Sequence, residues 1–175
     1  MTKVPQSDNI AAEIDRLEQR YLVGREREIE IFTQLLDGHY TERILNIHGT
    51  GGVGKSYLLD EFRRLCVNSQ IPFLSIDLCT IGNKELNGFC ACLLRLIPDW
   101  PAHSERAASN AHQWTQLCAE ELHKLAVSHG KVVLAIDTFE QGEQLEYWLR
   151  EQFLPMLSTN IVIILSGRLP LIGSW

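Results

Sequence analysis

Apolar residues fall along this chain in two alternating kinds of run. Ile29, Phe32, Leu35 and Leu36 recur at helical spacing until Asp37-Gly38, which predicts a helix over 25–36. Arg43 to His48, built around Ile44-Leu45-Asn46-Ile47, reads as a strand, Lys55 to Asn68 as a helix, and Pro72 to Asp77 as a second short strand. Leu86 to Ile97 predicts a helix stopped by Pro98, and 98–110 a connection of prolines and small polar residues. Ala111 to Ser128 is again amphipathic, with Trp114, Leu117, Cys118, Leu122 and Leu125 on its inner face. Lys131 to Asp137 and Ile161 to Ser166 are near-continuous apolar runs of strand length, as in strands buried on both faces. A short amphipathic helix is predicted over 10–20, broken at Tyr21-Leu22-Val23-Gly24. Helices interleaved with strands imply an α/β fold with a parallel sheet.

Composition narrows this to one domain. At 175 residues with 45% hydrophobic content, the chain suffices for one well-buried core and is short for two. A net charge of -6, with lysines and arginines scattered, gives no footprint for nucleic acid or an anionic membrane. The N-terminus has no apolar signal core and no run approaches the ~18 apolar residues of a span. A soluble, cytoplasmic chain is expected. Five cysteines, Cys66, Cys79, Cys90, Cys92 and Cys118, form an odd set without secretory context and are expected to be buried core thiols rather than disulfides or metal ligands. The six histidines show no ligand spacing, and His48 is expected to pack or hydrogen-bond.

Candidate chemistry begins directly after the first strand. "HGTGGVGKS", residues 48–56, contains the complete pattern G-x-x-x-x-G-K-[ST], between a strand and a helix as it must be. Gly49, Gly51, Gly52 and Gly54 keep side chains away, so that successive backbone N–H groups can surround an anion as dense as a triphosphate. The helix N-terminus adds amides and the positive end of its dipole. Lys55 is placed to reach the β and γ phosphates and the Ser56 hydroxyl to ligate Mg²⁺, with Thr50, Val53 and Tyr57 completing the contacts to nucleotide. About 80 residues on, "VVLAIDTFE" delivers Asp137 to the C-terminal edge of a central strand, where ligands bind in open α/β folds and a carboxylate can hold Mg²⁺ opposite Ser56.

Four blocks in order, "YLVGRERE" (21–28), the glycine-rich loop, "VVLAIDTFE" and "IVIILSGR" (161–168), resemble the signal-transduction-type P-loop ATPases of the AAA+ lineage, relatives of the NB-ARC modules. The resemblance implies a three-layer P-loop fold with strand order 5-1-4-3-2, the fifth strand and a helical lid falling beyond Trp175. It implies Val23 and Arg25 at the adenine and Arg168 at the terminal phosphate. A guanidinium ending a buried strand beside Asp137 fits an anion partner, whereas "GREREIE" is equally an ordinary charged helix start. Many AAA+ relatives place a glutamate directly after the metal aspartate. Here Thr138 stands there, and Glu140 either positions water from three residues on or is structural.

The resulting expectation is residues 1–20 as a helical lead-in and 21–175 as a truncated ATPase core. Its function is that of an Mg-ATP-binding switch of a multidomain regulatory ATPase with slow hydrolysis. Lys55, Asp137, Glu140 and Arg168 are its catalytic set, and Ser56 and Asp137 its metal ligands. Expected partners are ATP or ADP, sensor and effector domains lying beyond the chain, and a nucleotide-dependent homo-oligomer. A small-molecule kinase is the rival, although no acceptor-binding cluster appears between Asp77 and Lys131, and a non-hydrolysing binding module is a third reading. A GTPase is disfavoured because no N-K-x-D motif occurs.

Overall fold

Four parallel strands run through the centre of the computed structural model, which describes residues 24–82, 84–101, 108–172 and 175. In chain order they are β1 (Ile44–His48), β2 (Phe73–Asp77), β3 (Val132–Asp137) and β4 (Ile161–Gly167). Their spatial order is β1-β4-β3-β2, the expected order over the strands this chain contains. Every residue of β4 is buried, as are Val132 to Ile136 of β3. Their uninterrupted apolar spelling reflects inner strands covered on both faces. Registers run from Ile44 opposite Ile163 to His48 opposite Gly167, and from Phe73 opposite Val133 to Asp77 opposite Asp137.

Helices cover both faces. On one lie α1 (Glu26–Asp37) and α2 (Lys55–Asn68), whose Phe32, Leu58, Leu59, Phe62 and Cys66 pack on Val133, Ala135, Val162 and Ile164. On the other lie α3 (Leu86–Leu96), α4 (Ala111–His129) and α5 (Glu143–Trp148), which enclose a larger core containing Phe89, Cys118, Leu122, Trp148 and Phe153. The predicted boundaries hold to within a residue, and Gly38 stops α1 in the left-handed conformation, with φ 79°.

The sequence pattern predicts no element between Thr138 and Ile161. It folds into α5, a five-residue π-helical turn (Leu149–Phe153) and a 3-10 turn (Leu154–Met156). Leu145, Trp148, Leu149 and Phe153 line its buried side, and the Trp148 indole donates to Thr115 Oγ at 2.8 Å, satisfying two polar groups in the core. Cys66, Cys90 and Cys118 are buried as expected, whereas Cys92 is half-buried and Cys79, in the turn after β2, is exposed. Trp114 and Leu117 are only partly buried at the rim of the larger core. Among the described residues no helix is long and apolar enough to cross a membrane. The predicted helix at 10–20 and Val23 lie outside the described residues.

Candidate functional site

Between the end of β1 and the start of α2 the chain turns over the C-terminal edge of the sheet. Gly49 N–H donates to the Gly167 carbonyl at 3.3 Å, seating the loop on β4. Gly52 and Gly54 have φ of 83° and 86°, left-handed values that a Cβ would penalise by about 1–2 kcal/mol each. The Lys55 ammonium folds back over the loop, donating to the carbonyls of Gly49 at 2.7 Å and Thr50 at 3.1 Å. Ser56, exposed, and Tyr57 follow in the first turn of α2. Gly51 and Val53 are exposed on the loop.

Arg25 reaches this loop from the start of α1. One guanidinium nitrogen donates to the Val53 carbonyl at 2.8 Å and the other pairs with Glu28 at 2.5 Å. That hydrogen bond, ahead of all other influences, holds the Glu28 carboxyl below its ordinary value. His48 meets Asn46 Oδ1 at 3.2 Å.

The strand ends supply the acids. Side chains alternate along a strand, so Asp137, two residues after Ala135, falls on the sheet face that carries the loop and α2. Its Oδ1 accepts the Thr138 amide at 2.8 Å, and Thr138 is left-handed, with φ 50° and ψ 44°. Asp77, opposite Asp137 in the register, accepts the Thr138 hydroxyl and, at 2.8 Å, the Cys79 amide. Glu140 and Arg168 are brought to each other: Oε2 accepts the Arg168 amide at 3.0 Å and Oε1 lies 3.2 Å from Nε. The Arg168 side chain is 70% exposed and Glu140 only 17%.

Three groups near these residues carry no site role on sequence grounds: Asp77, the Thr138 hydroxyl and Ser166. Ser166 ends the apolar run of β4, two residues after Ile164 and so on the loop side of the sheet. Its Oγ is buried without a hydrogen-bond partner among the described residues, a state costing about 1–3 kcal/mol and suited to a ligand oxygen or water. A lone hydroxyl closing a run of buried aliphatic residues is the signal that could have found it.

The donor set fits a phosphate and a hard cation. The loop offers backbone without obstructing side chains, since nothing lies within 4 Å of where a Cβ on Gly51 or Gly52 would stand. Hydroxyl and carboxylate oxygens from Ser56 and Asp137 are the ligand types Mg²⁺ takes. Among the described residues no three His, Cys, Asp or Glu side chains gather to cage a metal. A site sharing its ion with bound phosphates has no need of such a cage.

Similar folds occur in the Walker-type ATPase PABY2304 of Pyrococcus abyssi (TM-score 0.50, 18% identity, 79% of this chain and 44% of that one). They occur also in a chain of the Drosophila ORC bound to AT-rich DNA and Cdc6 (TM-score 0.56, 16% identity, 95% and 54%). A third is a chain of the Drosophila ORC bound to DNA (TM-score 0.55, 17% identity, 89% and 80%). The chain thus spans about half the length of the first two, and at these identities the likeness is one of fold. No curated protein matches. The sequence model of the AAA ATPase domain matches residues 21–161, from ahead of α1 to the first residue of β4, and on that match the chain belongs to the AAA ATPase domain family.

Proposed function

We propose that this nucleotide-binding ATPase core works as the Mg-ATP switch of a multidomain regulatory ATPase of the signal-transduction type, hydrolysing ATP slowly. The supporting observation is that the glycine-rich loop, seated on β4 with Lys55 folded over it, and Asp137 at the end of the neighbouring β3 stand at the same C-terminal edge of the sheet. In this reading the loop amides and the α2 N-terminus hold the phosphates. Lys55 exchanges its two carbonyl partners for β and γ oxygens, and Ser56 and Asp137 hold the metal. Bound Mg²⁺ would neutralise charge developing on the phosphate oxygens. Arg25, already bonded to Val53, ties α1 to the loop on the adenine side. Arg168 stands exposed at the end of β4, where it can trade the Glu140 carboxylate for a terminal phosphate. Lid, sensor and effector domains, and self-assembly in the ATP state, belong to the same proposal.

Mg-ATP at ~100 times its Kd should add about 2.7 kcal/mol, raising Tm by roughly 5 to 10 °C at this size. Lys55→Ala should abolish the shift in a thermal melt, and Asp137→Asn should remove only its Mg²⁺-dependent part. A full shift in Lys55→Ala would overturn the site.

A further inference from the structure

Thr138 is β-branched and left-handed, a costly combination that persists only where surrounding contacts enforce it. Those contacts also fix the polarity of its hydroxyl. A threonine oxygen carries one proton and two lone pairs. The proton is donated to Asp77 Oδ1, and one lone pair accepts the Cys79 amide at 2.9 Å. The same amide donates to Asp77 Oδ1 at 2.8 Å, closing a ring of Asp77, Cys79 and Thr138. Toward any further group, Thr138 Oγ is therefore an acceptor only. An ionised phosphate oxygen has no proton to give it. A water molecule does.

Position adds to polarity. Thr138 directly follows Asp137 at the sheet edge, its amide bonded to the Asp137 carboxylate, so the hydroxyl belongs to the segment that would carry the metal ligand. Glu140, the other acid of this segment, has Oε2 on the Arg168 backbone amide, a bond that does not depend on where the Arg168 guanidinium turns.

We propose that Asp77 is a positioning residue that locks the Thr138 hydroxyl as an acceptor, and that Thr138 orients the water attacking the terminal phosphate. This rests on the Mg-ATP reading of the site. With one O–H directed at Thr138, the water oxygen keeps a lone pair for phosphorus. The bond from that oxygen to the γ-phosphorus forms. The bond from phosphorus to the bridging oxygen breaks, its electron pair leaving with ADP, and the water proton passes from the new phosphate to solvent.

The test uses the 175-residue chain with Thr138→Val, Thr138→Ser and Asp77→Asn, each checked for folding by circular dichroism. Single-turnover hydrolysis is measured beside Mg-ATP and Mg-ADP affinity from the thermal shift. An asparagine at 77 keeps the shape but can donate as well as accept, so the polarity is no longer fixed. Thr138→Val and Asp77→Asn should slow hydrolysis by about tenfold or more while affinities stay within about threefold, and Thr138→Ser should recover most of the rate. If Thr138→Val does not fold, Asp77→Asn against Thr138→Ser carries the comparison.

Wild-type hydrolysis in Asp77→Asn or Thr138→Val would overturn the proposal, as would parallel losses of rate and affinity. Hydrolysis lost in Glu140→Gln but kept in Thr138→Val would assign the water to Glu140. A wild-type chain that binds Mg-ATP without turning it over would overturn the proposal while leaving the binding site standing. One that binds no Mg-ATP would remove the site reading itself, and the proposal with it.

Discussion

Arg25 holds a carboxylate and a loop carbonyl with one guanidinium, so its charge acts on Glu28 while its geometry acts on the loop. Because Glu28 ionises more readily in the folded chain, the pair's contribution is complete above the unfolded-state glutamate pKa. It fades as the pH falls through the lower folded value. The two side chains are 28% and 34% exposed, and solvent keeps the effect small. Arg25→Ala should return the Glu28 titration, followed by NMR, towards the ordinary carboxylate value and reduce acid sensitivity below the ordinary glutamate range; an unmoved titration would contradict the pairing. At this scale the sequence reveals residue types better than their partners. Lys55 and Asp137 are legible because each stands at a fixed place relative to a strand end. The bonds from Arg25 to Val53, Thr138 to Asp77 and Arg168 to Glu140 join residues 28 to 61 positions apart, and no local pattern encodes such meetings.

Helix α2 carries the loop, and besides packing on the sheet it meets α1 through an aromatic stack. Phe32 and Phe62, both fully buried, stack with ring centroids 4.0 Å apart and planes 15° from parallel. Phe62→Ala should cost about 3–5 kcal/mol in urea unfolding. If α2 holds the phosphates as proposed, the same change should also weaken nucleotide binding, because the helix would lose part of its support. A loss below ~1 kcal/mol would show that the face repacks. Elements written in a single period were legible: β3 and β4 as unbroken apolar runs, α1 from its spacing and the Asp37-Gly38 stop. The 143–156 segment was not. Leu145, Trp148 and Leu149 follow helical spacing, but the turn widens over Leu149–Phe153 and Pro155 ends it, so no one period spans the whole.

Across the whole molecule the sheet divides the interior into two unequal cores, the smaller beneath the loop and the larger on the side of α3, α4 and α5. The expected alternation and strand order are visible in that division, since inner strands buried on both faces require a helical layer on each. The smaller core rests chiefly on the aliphatic and aromatic side chains of α1 and α2, so that layer should open at a lower free energy than the other. Each core also encloses thiols of its own: Cys66 in the smaller, Cys90 and Cys118 in the larger, while Cys79 lies outside both. Burial pushes the Cys66 thiol up to about 12, and contact with Cys90 together with burial raises Cys118, so none of these reacts until its layer parts. The chain is thereby supplied with an internal clock for each layer. In a time course of alkylation read by mass spectrometry, Cys79 should label first, Cys66 next, and Cys90 and Cys118 last. Mg-ATP should delay Cys66 alone, and equal delay at all three buried thiols would mean that the two layers open as one.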